Sequence, residues 1–477
     1  MVINIIIICE KEGIKMFIGR ETELESLTEH YKSDQFECAI IYGRRRIGKT
    51  ELISHFSKDR PSIFYTATQE NAESNLIRMS NALNFFENSE NHSGPVYQNF
   101  DQLLDRVAEL SKKKRIIFVI DEYPYLAESY PGFSSLLQAH IDQQFKNTKL
   151  FLILCGSSMS FMEKQVLGYQ SPLYGRRTLQ LKLEPFSFNE TQQMLPNVDK
   201  ADAFALHAIS GGIPQYLSYF ANKRSVKEAI IDCFLKKDGR LFEEPNNLLK
   251  QELRELANYN SIISAIANGA SRLNDIAMTT KIPATSIKSY LDNLSELEII
   301  QRKVPITEIN KRSKKAIYQI NDGMFRFWYR FVPARLTLIE RGMTDIAWNG
   351  IESNLNHFLG PAFEKLAQDY LWNHYDVERT PFTNLGNWWG ADKRTREQVE
   401  LDILGFSSDN PMFGVFGECK WRNEPISKDI LEKLIFNSNL FNYPKKYYYL
   451  FSKVGFTDEC QKLAKEIDCK LITFKEM

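Results

Sequence analysis

Cysteine is scarce and unpatterned in this chain, with seven in 477 residues and no Cys-x-x-Cys spacing. That excludes a zinc ribbon, argues against a disulfide framework, and fits reduced thiols in a cytoplasmic protein. Net charge is missing too: 60 lysines and arginines balance 60 acids. Any nucleic-acid surface must therefore be a local patch. Long apolar runs are also absent. The stretch Ile3 to Cys9 is too short to span a bilayer and has neither a basic n-region nor a small-residue cleavage site. It reads as an upstream extension of a protein starting at Met16, and no membrane partner is expected. Internal repeats and low-complexity tracts are lacking. What remains is an ordinary globular composition, 43% hydrophobic and 25% charged, in a chain long enough for roughly three domains.

The most informative segment is Gly43-Arg44-Arg45-Arg46-Ile47-Gly48-Lys49-Thr50. It fits G-x-x-x-x-G-K-[ST], a loop whose backbone N–H groups turn inward around a phosphate. A short apolar run, Cys38 to Tyr42, precedes it as a strand. A helix beginning near Glu51 follows, with its N-terminus toward the anion. Lys49 is expected on the β/γ-phosphates and the Thr50 hydroxyl on Mg²⁺. Residues 43–51 thus form the expected ATP-binding segment.

Two further apolar runs, Arg115 to Asp121 and Lys149 to Gly156, lack alternation. Such strands are buried on both faces, which predicts a parallel sheet covered by helices. The first delivers Asp121 to the Mg²⁺ shell, beside Glu122 as the residue that polarises the attacking water. The second ends in Cys155-Gly-Ser157-Ser158, where Ser157 or Ser158 is either a γ-phosphate sensor or a helix cap. Arg176 and Arg177 are either an arginine finger, acting in cis or on a neighbouring subunit, or an ordinary solvated or salt-bridged pair. A homo-oligomer is left open on that account.

Together with Phe17-Ile-Gly-Arg-Glu21 and Gly211-Gly-Ile-Pro-Gln215, these motifs resemble the archaeal-type ATPases of the AAA+/STAND branch. The resemblance covers about Met16 to Asn321. It implies a helical lid and a winged helix, and it implies that Pro214 and its glycines lie on the adenine side. Read from residues alone, Gly-Gly-x-Pro is a helix break.

Helical periodicity over Leu273–Thr280 and Ile282–Leu294, followed by two short strands at 299–304 and 316–320, predicts a helix-turn-helix with a hairpin, hence a winged helix. The second helix exposes Thr285, Lys288, Ser289 and Asp292. The hairpin carries Arg302, Lys303, Lys311, Arg312, Lys314 and Lys315 against Glu308. Such a stripe can follow a DNA backbone without reading sequence, or be a solvated or packing surface. The aromatic run Gly323–Phe331 reads as packing between domains rather than a cofactor site.

In the last α/β unit, Glu364 lies on an amphipathic helix, Asp402 ends a strand, and Glu418-Cys-Lys420-Trp421 ends the next. Alternation puts Glu418 and Lys420 on one face. Carboxylates hold hard divalent ions, here Mg²⁺ or Mn²⁺, and a lysine stabilises charge during phosphodiester hydrolysis. Glu400 is a fourth acid or a bystander, and the loop Lys393–Arg396 touches nucleic acid or is merely solvated. This D…ExK pattern resembles the PD-(D/E)xK nuclease superfamily. It also resembles the domain often fused to archaeal-type ATPases, where a Glu-Cys-Lys-Trp segment recurs.

The expected fold is thus α/β: a P-loop NTPase parallel sheet (16–183), a helical lid (184–247), a winged helix (248–325) and a restriction-endonuclease-like domain (340–477). Two functions fit. One is an Mg²⁺-dependent ATPase, with ATP and DNA as partners, coupled to a metal-dependent nuclease. The other is a nucleotide-driven switch whose C-terminal domain is a non-catalytic partner-binding module.

Overall fold

A computed structural model describes residues 8–11, 14–88, 96–308, 313–376, 382–392 and 394–477. Lys311, Arg312 and Lys393 lie outside the described residues. Contacts divide the chain into two compact units. One holds residues 1–203, 210–223 and 296–298, and the other holds 204–209, 224–295 and 299–477.

In the first unit a hairpin of β1 (Ile8–Lys11) and β2 (Ile14–Phe17) precedes the main sheet. That sheet has five parallel strands: β3 (Glu37–Tyr42), β4 (Ser62–Thr66), β5 (Ile116–Asp121), β6 (Leu150–Gly156) and β7 (Leu179–Lys182), in the order β4-β5-β6-β3-β7. Every residue of β5 and β6 is buried. Two-sided burial needs continuous apolar sequence, so these strands are the ones the sequence announces. The strands β4 and β7 lie at the edges and are partly exposed, so their sequences alternate. Lid helices follow, among them Phe188–Met194 and Pro214–Phe220. The first is capped by Ser187 and Glu190, each bonded to the other's backbone N–H.

The second unit contains the helices Leu256–Ala267, Leu273–Thr280 and Ala284–Glu296, of which all but residue 296 fall here. An antiparallel ribbon of β8 (Ile300–Lys303) and β9 (Ile317–Ile320) follows. The aromatic run is a helix, Gly323–Phe331, with most of its residues buried. Trp328 Nε1 donates to the Phe242 carbonyl at 2.7 Å, and Phe327 packs on Phe234 and Phe358. The stripe is a packing surface within this unit.

A 30-residue helix, Thr344–Asn373, leads into a mixed sheet of β10 (Asn384–Ala391), β11 (Gln398–Phe406), β12 (Phe413–Lys420), β13 (Lys445–Ser452) and β14 (Lys470–Thr473). The first two pairings are antiparallel and the last two parallel. Register shifts between Gly386 and Trp388, whose partners are Leu404 and Leu401. Asn387 therefore faces two residues, Asp402 and Ile403, across a bulge. Bulges re-aim side chains and recur beside functional sites. Among the described residues no helix is long and apolar enough to cross a membrane.

Candidate functional sites

The phosphate loop joins β3 to the helix Lys49–Ser57. Its first glycine is required by close approach: a Cβ on Gly43 would meet the Leu183 carbonyl oxygen at 2.7 Å. Arg46 (φ 69°) and Gly48 (φ 89°) are both left-handed, the alternation that turns successive N–H groups into a concave nest. Lys49 Nζ, buried, donates to the carbonyls of Gly43 and Arg44, each at 2.9 Å. Burial lowers its pKa, while the nearby acids Glu122 and Asp121 oppose that. Glu51 stands in the first turn of the helix, where an acid suits the dipole, and burial raises its pKa.

The second half of the site arrives from β5. Thr50 Oγ1 donates to Asp121 Oδ2 at 2.8 Å, and the Glu122 N–H donates to Asp121 Oδ1 at 3.0 Å. Asp121 is buried. Glu122 is left-handed, φ 50°, an uncommon conformation for a residue with a Cβ. Its Oε2 accepts from the Ser157 hydroxyl at 2.9 Å and the Ser157 N–H at 3.3 Å. The expected sensor serine thus holds the expected catalytic glutamate. Ser158 precedes the turn Met159–Phe161 and makes no side-chain cap bond.

The lid also reaches the loop. Gly211 and Gly212 are left-handed, Pro214 opens a helix, and the next N–H, of Gln215, donates to the Arg46 carbonyl at 3.4 Å. The Arg46 guanidinium stands 5.7 Å from the Tyr216 ring centre, and Arg45 donates to the Tyr125 hydroxyl at 2.8 Å.

Arg176 is placed differently. Its Nε and Nη2 fork onto Asp142 at 2.8 and 2.6 Å, and Nη1 donates to the Pro172 and Tyr174 carbonyls. This pair holds the Asp142 carboxyl below its usual range. A finger role would require releasing that fork. Arg176→Ala is expected to cost no more than about 1 kcal/mol, as for other partly exposed pairs. Phosphate release by the isolated chain should be unaltered. Thermal denaturation and a hydrolysis assay check both halves; a collapse of hydrolysis would restore the finger.

The C-terminal acids are brought together. Asp402 Oδ2 accepts from the Cys419 N–H at 2.9 Å and stands 3.7 Å from Lys420 Nζ, which donates to Glu418 at 2.5 Å. Glu364 Oε2 accepts from Asn387 Nδ2 at 2.9 Å. Burial, then repulsion from Asp402, pushes both Glu364 and Glu418 up to about 7. The Asp402 carboxyl is raised as well, by burial. As donors, three crowded carboxylates suit a hard divalent ion. Lys420 nevertheless lies between two of them, and among the described residues no three acid, histidine or cysteine groups form a ready-made metal cluster. Glu400 is exposed, two residues before Asp402. Arg394 is exposed, paired with Asp392 and stacked on Phe436.

Sequence reasoning missed the supports. Asn387 Nδ2 also donates to the Asp402 carbonyl at 2.9 Å, and Gln368 Nε2 reaches the same oxygen at 3.2 Å. A glycine and an asparagine inside a strand were the available signal, since both are poor strand residues that mark bulges. Lys303 and Arg326 also face Glu364, whose carboxylate favours their charged forms against burial. No spacing rule connects them to it.

Residues 17–220 match the family described as an ATPase domain predominantly from Archaea, and residues 328–434 match one described as archaeal and bacterial proteins of unknown function. An uncharacterized protein of Methanocaldococcus jannaschii is 34% identical over 448 residues, covering 92% of this chain and 96% of the relative. A second uncharacterized protein of that organism is 20% identical, covering 61% of this chain and 62% of the relative. Among solved structures, a Walker-type ATPase of Pyrococcus abyssi superposes with a TM-score of 0.51 at 20% identity, covering 67% of this chain and 97% of that one. That likeness is one of fold.

Proposed function

The chain belongs to the archaeal P-loop ATPase family, here with a C-terminal domain of unknown function, and on that premise we propose that it binds and hydrolyses ATP with Mg²⁺ at residues 43–51. The observation that carries the proposal is the 2.8 Å bond between Thr50 Oγ1 and Asp121 Oδ2. It joins the two groups that P-loop chemistry uses to hold the ion. Bound there, Mg²⁺ would neutralise phosphate charge. Lys49, released from the Gly43 and Arg44 carbonyls, binds the β/γ-phosphates. Glu122, held by Ser157, orients and deprotonates the attacking water. Pro214 and its glycines border the adenine. Magnesium-dependent phosphate release by the purified chain tests this, and failure to bind ATP would overturn it.

For the rest of the chain, we read 184–247 as lid, 248–325 as winged helix and 340–477 as a nuclease-like domain. Glu364, Asp402 and Glu418 would hold Mg²⁺ or Mn²⁺, and Lys420 would stabilise charge on a phosphodiester of DNA. The pairing of Lys420 with Asp402 on β11 and Glu418 on β12, with Glu364 held beside them by Asn387, supports this reading. One observation favours the switch instead. Beyond β8, the Ile306 N–H donates to the Asn387 carbonyl at 3.0 Å, and Trp389 Nε1 donates to the Lys315 carbonyl at 3.0 Å. The ribbon is thereby docked on β10, the role of a packing element.

Charge reversal separates the two. With Arg302, Lys311, Arg312 and Lys314 changed to glutamate, a DNA-binding ribbon is expected to lose affinity. The slope of log K against log salt should fall by about one unit per lost phosphate contact. Fluorescence anisotropy across a salt series measures it. Unaltered affinity and slope would leave the ribbon as packing and favour the switch.

A further inference from the structure

Arg20 belongs to the Phe17-Ile-Gly-Arg-Glu segment, which the site chemistry has so far left without a task. Its side chain is only 5% exposed. It sits in the left-handed region, φ 69°, immediately before the helix Glu21–Lys32. Its Nη2 donates to two carbonyls: Ile47 in the phosphate loop at 3.1 Å, and Glu184 at the start of the lid at 2.7 Å. Nη1 pairs with Glu23 at 3.1 Å, and the guanidinium lies 5.2 Å from the Phe186 ring centre.

The Ile47 carbonyl decides more than its own bond. A trans peptide is planar, so its C=O and the following N–H point in opposite directions. Aiming the Ile47 oxygen at Arg20 therefore aims the Gly48 N–H to the other side of the loop. The preceding peptide is fixed in the same way, because the Arg46 oxygen accepts from Gln215 N–H and the Ile47 N–H must point away from it. Two successive peptide planes of the loop are thus held from outside, one by Arg20 and one by the lid turn. A nest binds an anion only while its N–H groups stay convergent. A buried cation on one carbonyl is a strong way to keep them so, since charge-assisted bonds exceed neutral ones.

We propose that Arg20 is a positioning residue for nucleotide phosphates: it orients the Ile47–Gly48 peptide of the phosphate loop and ties that loop to the first residue of the lid. The proposal rests on the reading of residues 43–51 as the ATP site. It differs from the roles of Lys49 and Thr50 in that Arg20 touches no ligand. Its effect should therefore fall on phosphates and spare the base.

The test compares ATP, ADP and adenosine binding to the full chain by calorimetry and competition. Arg20→Met removes the charge and the fork while keeping an apolar side chain beside Phe186. ATP and ADP are expected to weaken by about tenfold or more, the usual reach of a charge-assisted bond. Adenosine should bind as in the wild type. Arg20→Lys, which keeps the charge but offers a point donor in place of a planar fork, should show the same selective loss in smaller degree. It decides the matter if the methionine variant does not fold. Glu23→Gln should bind all three ligands normally. Unaltered ATP affinity in both Arg20 variants would overturn the proposal. So would equal losses of ATP and adenosine, which would make Arg20 a general support of the domain. Wild-type protein that binds no ATP would instead overturn the ATP reading beneath it.

Discussion

Replacing Lys49 with alanine is expected to abolish ATP hydrolysis and to weaken triphosphate binding, while Glu122→Gln keeps binding and stalls turnover. The two effects differ because the two side chains meet different charges. Lys49 Nζ is a buried ammonium at the mouth of the loop, held by the Gly43 and Arg44 carbonyls at 2.9 Å. Carbonyl dipoles are replaceable by phosphate oxygens, which carry full charge and bind an ammonium more strongly. Alanine leaves the β/γ-phosphates without that cation. Glu122 makes no bond to Lys49 or Thr50; its carboxylate is engaged by Ser157. Glutamine can keep a hydrogen bond to the Ser157 hydroxyl but cannot take a proton from water. A loss of about a hundredfold or more in turnover is the usual scale for removing a general base. Phosphate release and ATP titration on both variants measure this. A glutamine variant that turns over at the wild-type rate would remove Glu122 from the mechanism.

How far the sequence anticipates these geometries depends on how local each one is. The phosphate loop is eight contiguous residues, and its chemistry follows from glycine freedom and one lysine, so spacing suffices. The strands β5 and β6 are legible because burial on both faces admits only apolar residues. The edge strands β4 and β7 carry alternating exposure, and neither stands out as an apolar run. Non-local pairings are less accessible still. Arg176 is held by Asp142, 34 residues earlier, and a run of two arginines does not reveal its counter-ion. Arg20 lies 164 residues from Glu184, so its motif is visible while its task is not. The C-terminal acids are legible through strand alternation, which places Glu418 beside Lys420. Alternation carries no information on the bulge at Asn387, which depends on register between two strands. The ribbon's cations illustrate the same limit. Their sign is plain in the sequence, yet Lys303 faces Glu364 and the Lys315 ammonium pairs with Glu308 at 2.8 Å. A charge run therefore overstates the charge a DNA backbone would meet.

The C-terminal site yields the other large expected effect. If the domain is the nuclease proposed above, Asp402→Ala and Glu418→Ala should each eliminate metal-dependent nicking of plasmid DNA while leaving ATP hydrolysis nearly intact. Each removes a proposed ligand of an ion that is commonly held by only one or two carboxylates, with waters and substrate phosphate completing its octahedron, so the loss of either should weaken the ion sharply. Asp402 has a second reason to be sensitive. Its side chain accepts from the Cys419 N–H, and its carbonyl is held by Asn387 and Gln368, so it joins β11, β12 and the helix that carries Glu364. Lys420→Ala should behave differently. In the structure its ammonium lies between Asp402 and Glu418, so an ion must displace it before both acids can coordinate. Losing the lysine should therefore preserve or tighten Mn²⁺ binding while slowing cleavage, because charge on the phosphodiester is left without its partner. Calorimetric Mn²⁺ titration beside the nicking assay separates affinity from rate. A wild-type chain that binds no Mn²⁺ and cuts nothing, with or without ATP, would make the Lys420–Glu418 pair a structural ion pair and the domain a docking module.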